Sequence, residues 1–164
     1  MHKRTYMSSR SLTVLSIIIG VVVLFSCGGS DPKPTVQEVQ LKKLAKTWTL
    51  TSVTLDGVNK KTSTEYNNFK LNLSGTYSSS APDAEYNYSV SGRPQLGAWP
   101  ASGKWKFSTS APETSIIRDN ASANELNITY ALNGDELTIT FTYSGDGFAG
   151  RTSIVQGQWE MTFN

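Results

Sequence analysis

The chain of 164 residues holds one histidine, His2, and one cysteine, Cys27. With no imidazole beyond residue 2, the body of the chain cannot build a Ser-His-Asp triad, a Cys-His pair or a typical zinc site. A single thiol leaves no partner for an intramolecular disulfide, so a folded domain must be held by packing alone. Clustered charge is missing as well. Lys and Arg total 15 against 13 Asp and Glu, and Lys3, Arg4 and Arg10 all precede Cys27. The remainder is near neutral and carries no basic patch of the kind a nucleic acid requires. No phosphate loop is present: "SGDGFAG", Ser144 to Gly150, lacks the P-loop Lys-Ser/Thr and is followed by no helical pattern, so it reads as a hairpin loop. The acidic spacing of an EF-hand is absent too, which leaves Asp146 as an isolated loop aspartate.

One enzymatic route survives these exclusions, because two carboxylates can suffice for glycoside hydrolysis. Asp56, Asp135 and Asp146, however, stand in turn contexts where aspartate serves the backbone. The expectation is a protein without catalytic residues, metal or cofactor.

What the chain does have begins at its N-terminus. Basic residues up to Arg10 are followed by an almost uninterrupted apolar stretch from Leu12 to Phe25. That run is short for a membrane span, which takes about 20 residues, and suits an export signal. Leu24-Phe25-Ser26-Cys27 then resembles the lipobox of bacterial lipoproteins, in which the cysteine thiol is diacylated and the chain is cut ahead of it. Residues 1–26 are expected to be a signal peptide, and Cys27 the attachment point for palmitate-type acyl chains. Two or more such chains anchor durably, each buried methylene contributing about 0.8 kcal/mol. Residues 27–34, with "GGSDPKP" after the cysteine, read as a flexible tether. Gly28 in place of an aspartate argues, by analogy, against inner-membrane retention, so an outer-membrane location is expected, on its periplasmic or its surface face.

Residues 35–164 form the predicted domain. Thr35-Val36-Gln37-Glu38 matches a capping box, and Leu41, Leu44, Ala45 and Trp48 recur at helical spacing, predicting a helix over roughly Val36 to Lys46. From Thr47 the period changes to two. "TWTLTSVTL" changes parity between Leu50 and Val53, which predicts a bulge or bend ahead of an Asp56-Gly57 turn. Alternation continues through Phe69, Leu71 and Leu73; Tyr86, Tyr88 and Val90; Trp105 and Phe107; and, more weakly, Ile116-Ile117. "ELNITYALNGDELTITFTY" predicts a hairpin about Asn133-Gly134 in which Tyr130 faces Leu137, Ile128 faces Ile139 and Leu126 faces Phe141, all on one apolar face. Val155, Gly157, Trp159, Met161 and Phe163 alternate to the end. Roughly eight strands without intervening helices point to an all-β, antiparallel fold. Closure as an up-and-down barrel and packing as a β-sandwich both satisfy the periodicity.

"LAKTWTLTSV", "WPASGKWKF" and "GQWEMTF", set after a lipobox and a short helix, resemble the lipocalin-like domain lipoproteins of Gram-negative bacteria over Val36 to Asn164. Thr47-Trp48 fit the family's Gly-x-Trp opening, with Lys46 at the glycine position. The resemblance implies an eight-stranded antiparallel barrel and a binding role. The aromatic and aliphatic residues on the apolar faces then have two readings: a packed core, or the lining of a cavity for a small apolar molecule. The candidate lining is Trp48, Phe69, Leu71, Trp105, Phe107, Ile128, Tyr130, Ile139, Phe141 and Trp159. Tyr77, Tyr86, Tyr88, Trp99 and Phe148 fall in or near longer loops as a candidate stacking platform, although Tyr86 and Tyr88 alternate like ordinary strand residues. Arg118 and Arg151 either face solvent or stack over an indole. Expected partners are the membrane, through the N-terminal lipid, and a small apolar ligand inside the barrel. The alternative is a filled barrel that docks on an envelope protein or glycan through its loops. A monomer without nucleic acid is expected in both cases.

Overall fold

The computed structural model describes residues 33–62, 65–95, 97–146 and 155–164. Residues 1–26, expected to be a signal peptide, together with Cys27, Phe148 and Arg151, lie outside these residues. Two compact units divide the chain, Met1–Lys33 and Pro34–Asn164, and the second holds every helix and strand described. Among the described residues no helix is long and apolar enough to cross a membrane.

Helix α1 spans Val36–Leu44. Thr35 caps it from an extended conformation, its Oγ1 accepting from the Glu38 amide at 3.2 Å. The second half of the expected capping box is replaced: the Glu38 carboxylate accepts from Lys42 Nζ one turn later, at 2.7 Å. Leu41 and Leu44 point into the core. The helix stops short of Lys46 because strand pairing takes over there; the Lys46 carbonyl already accepts from the Leu73 amide at 3.1 Å.

Nine strands come after it: β1 (Thr47–Leu55), β2 (Val58–Asn59), β3 (Lys70–Ser74), β4 (Tyr86–Ser91), β5 (Ser102–Phe107), β6 (Ser115–Arg118), β7 (Leu126–Asn133), β8 (Glu136–Tyr143) and β9 (Gly157–Phe163). From β3 to β9 each strand pairs antiparallel with the next, and β1 pairs with both β3 and β9. The sheet therefore closes on itself as an eight-stranded barrel, with no sandwich of two separate sheets. Closure removes the open edges that an all-β chain must otherwise protect. Strand β2 stands outside the ring, paired to β1 through Leu55↔Val58.

The parity change in β1 is a bulge. Its register against β9 shifts between Leu50 and Ser52, and Thr51 and Ser52 both face outward. Lys61 Nζ donates to the carbonyls of Leu50 and Thr51, at 2.9 and 3.2 Å, and so satisfies the irregular backbone. Asp56 and Gly57 both take positive φ, 50° and 77°, as a two-residue type I′ turn requires.

The β7–β8 hairpin differs from its predicted register. Asn133 pairs with Glu136, Leu132 with Leu137 and Tyr130 with Ile139, so the two loop residues are Gly134 and Asp135. Of these only Gly134 has positive φ, 62°, which fits a turn with glycine first and leaves Asn133 in the ladder. The slip is by two residues, so every side chain keeps its face: Leu126, Ile128, Tyr130, Leu137, Ile139 and Phe141 are buried and the threonines point outward.

Antiparallel order gives the barrel two unlike ends. The helix end carries α1, the β3–β4 and β5–β6 connections and the Gly134-Asp135 turn. The far end carries the Asp56-Gly57 turn and the β4–β5, β6–β7 and β8–β9 connections.

Candidate functional site

All ten candidate lining residues point into the barrel, and each is at most 5 % exposed. They belong to one continuous core cluster that also takes in Leu41 and Leu44 of the helix. Rings meet in series through the interior: Tyr88 to Trp99 at 5.5 Å between centroids, Trp99 to Phe141 at 6.0 Å, Phe141 to Trp159 at 6.3 Å, Trp159 to Tyr66 at 5.9 Å, and Tyr66 to Phe69 at 5.7 Å. Toward the helix end Tyr86, Trp105 and Phe107 make a second group, with Tyr86 and Trp105 5.1 Å apart. Eight strands enclose an interior that side chains can just fill, and these rings occupy it.

Three of the indoles find carbonyl partners for their Nε1 donors: Trp48 with Leu44 at 2.9 Å, Trp105 with Asn87 at 3.1 Å and Trp159 with Val155 at 2.8 Å. The first of these joins β1 to the end of α1, and Lys46 Nζ lies 4.0 Å above the Trp48 ring. Tyr130 donates to Pro112 at 2.6 Å. Burial raises the phenol pKa values of Tyr66, Tyr88 and Tyr130 well above the usual range, so these groups stay protonated donors.

The polar arrangement that composition alone did not reveal sits at the far end, around Arg118. This side chain ends β6 with 1 % exposure. Its Nη1 donates to the Ala98 carbonyl at 2.8 Å and its Nη2 to Asn124 at 3.4 Å. Nε faces Asp119 Oδ2 across 3.3 Å, an ion-pair contact rather than an aligned hydrogen bond. The guanidinium lies 5.0 Å over Trp99, so of the two readings for Arg118 the structure gives the stack over an indole. Trp99 itself is only 3 % exposed, which corrects its placement on a loop platform. Burial lowers the Arg118 pKa, opposed by the neighbouring Tyr88 phenol and Asp119 carboxylate.

Asp119 extends the network. It accepts from the Tyr88 hydroxyl at 2.8 Å and from the Lys104 amide at 3.0 Å. Its backbone is left-handed, φ 51°, a conformation aspartate tolerates better than most residues. The β6–β7 loop is then tied internally: Ser122 Oγ donates to the Asp119 carbonyl at 2.6 Å, and the Ala121 amide to the Glu125 carboxylate at 2.7 Å. One buried cation thus ties together the β4–β5 connection, through Ala98 and Trp99, and the β6–β7 loop, through Asp119 and Asn124.

The remaining candidates are scattered. Tyr77 is half-buried at the helix end, while Tyr86 and Tyr88 are inward strand residues. Asp56 accepts from the Gln158 amide at 2.8 Å, and Asp135 stands exposed 3.7 Å from Lys46. Asp146 offers its backbone carbonyl to the Tyr143 hydroxyl at 2.7 Å. Among the described residues no three His, Cys, Asp or Glu side chains gather where they could share a metal ion.

No protein-family model, curated protein or solved structure matches this chain. The geometry itself defines the class: an antiparallel eight-stranded barrel, occupied by its own aromatic side chains, with far-end loops tied to a buried arginine.

Proposed function

We propose that this chain is a non-catalytic, lipid-anchored envelope protein that acts through the loops at the far end of its barrel. The observation that carries this reading is the occupied interior: the ten residues on the apolar faces contact one another and the helix, which favours docking on an outer surface over holding an apolar molecule inside. The helix α1 sits at one end of the barrel and these loops at the other. The Arg118 network supports the same reading, since loops held in one conformation lose less entropy on binding. The sequence likeness to lipocalin-like lipoproteins agrees with the anchor and the barrel. The partner class is an envelope protein or a glycan, met by the polar residues Asn120, Ser122 and Asn124.

Site-specific photo-crosslinking of the full chain in its native envelope tests this, with the probe at Ala123 in the β6–β7 loop or at Asn72 on the outside of β3. The expected result is one discrete adduct from Ala123, none from Asn72, and loss of both adduct and membrane fractionation in Cys27→Ala. A Cys27→Ala chain that is processed and membrane-bound like the wild type, or equal labelling from both positions, contradicts the reading.

A further inference from the structure

The sequence places Gly directly after Asn once, at Asn133-Gly134, and the fold puts that pair at the tip of the β7–β8 hairpin, on the helix end. Asn133 closes the ladder as the partner of Glu136, and Gly134 opens the loop with φ 62°. Both residues are exposed, and the side of Gly134 where a Cβ would stand is open space out to 4 Å. Neither the Asn133 carboxamide nor the Gly134 N–H is hydrogen-bonded to another described residue. A carboxamide beside an unhindered, unbonded backbone nitrogen is a pair of reactants: the nitrogen becomes a nucleophile when it gives up its proton, and Asn133 Cγ is the carbon it can reach. Only the last ladder pair has to fray for Asn133 to turn toward that nitrogen, and the ends of elements open at little cost. Asp56-Gly57, at the far end, lacks this freedom. Asp56 Oδ1 accepts from the Gln158 amide at 2.8 Å, its own amide donates to the Gln158 carbonyl at 2.8 Å, and a carboxylate is in any case the poorer electrophile.

We propose that Asn133 is a self-modification site, converted through the Gly134 amide into aspartate and isoaspartate, and that the conversion weakens the hairpin. The Gly134 nitrogen loses its proton to solvent and attacks Asn133 Cγ. The Cγ–Nδ2 bond breaks, the departing nitrogen takes up a proton and leaves as ammonia, and a succinimide ring closes. Water then opens the ring at one of its two carbonyls. Opening at Cγ returns an aspartate, whereas opening at the former main-chain carbonyl gives isoaspartate and adds a methylene to the backbone. Overall water is consumed and ammonia released, with no oxidant or reductant. Either product sets a carboxylate opposite Glu136 in the closing pair, and like charges facing each other across a ladder destabilise it. Isoaspartate also spoils the residue-for-residue match of the strands. The site lies at the opposite end of the barrel from the loops assigned to partner docking, and it stands or falls independently of them.

The test is timed incubation of the full chain in mild detergent, folded or in urea, with isoaspartate read by enzymatic methylation and its position by peptide mass spectrometry. In the folded chain conversion is expected at Asn133 ahead of Asn120, Asn124 and Asn127. Its rate should rise about tenfold from pH 7 to pH 8, the factor by which the deprotonated amide grows. Asn133→Ser, which removes the electrophile at an exposed position, should abolish it. The aged wild-type chain should then denature at a lower urea concentration than fresh protein, and the aged Asn133→Ser chain should not. An Asn133 that keeps its amide in the folded chain while converting in urea means that the ladder holds it out of reach, and overturns the proposal. Equal or faster conversion at Asn120, Asn124 or Asn127, or a converted chain with an unchanged denaturation midpoint, overturns it as well.

Discussion

Arg118 is the only charged side chain fully buried among the described residues, and its surroundings explain why the strand opposite must be thin. Gly103 of β5 sits against Asp119 Oδ1 and the Tyr88 hydroxyl, so close that a Cβ there would displace both. Gly103→Ala therefore reverses the ordinary sign. Alanine in a strand usually gains about 0.5–1 kcal/mol over glycine. Here it should cost about 2 kcal/mol, because it parts Asp119 from its donors and weakens the pairing of a buried cation. Urea denaturation checks this; a variant as stable as the wild type would show that the Tyr88–Asp119 contact contributes nothing. The inward direction of Arg118 was legible in part, since it shares parity with Ile116 in "SIIR". Its partners were not, because Trp99 and Ala98 lie in a connection with no period to fix which way a side chain points.

At the scale of elements, local signals carried most of the sequence's meaning. The Thr35 cap, the change from helical to alternating spacing at Thr47, the β1 bulge and the Asp56-Gly57 turn each arise from residues a few positions apart, and each is present. The β7–β8 hairpin shows where such signals end. "NGD" offers two overlapping two-residue turns, Asn133-Gly134 and Gly134-Asp135, and both preserve the apolar faces. The choice between them rests on whether one or two residues adopt positive φ, which alternation cannot report. Ring closure was equally hidden, because the pairing of β1 with β9 joins residues such as Val53 and Met161 from opposite ends of the domain. Periodicity establishes that both strands have an apolar face without saying that they meet. The same holds for the candidate lining: the sequence selected the ten inward residues, whereas the ring-to-ring contacts among them required the closed barrel.

For the molecule as a whole, the interior is aromatic, and that makes a prediction about alkali. The phenols of Tyr66, Tyr88 and Tyr130 are held protonated by burial, with pKa values raised from the ordinary 10.0. In the unfolded chain they ionise near that ordinary value, so above it the folded state binds more protons than the unfolded state and stability falls as pH rises. Their contribution is intact below about pH 10 and is lost progressively above it. Absorbance at 295 nm followed together with circular dichroism should show these phenols ionising only as the barrel unfolds; free titration near pH 10 with the fold intact would contradict their burial. The more direct test of the account concerns Ile128, which is fully buried in β7. If the interior is occupied by the protein's own side chains, Ile128→Trp overpacks it and should destabilise the full chain by about 1–3 kcal/mol, read as an earlier denaturation midpoint. An Ile128→Trp chain with unchanged stability would mean that the barrel has room for an indole, and that its function lies inside rather than at its far-end loops.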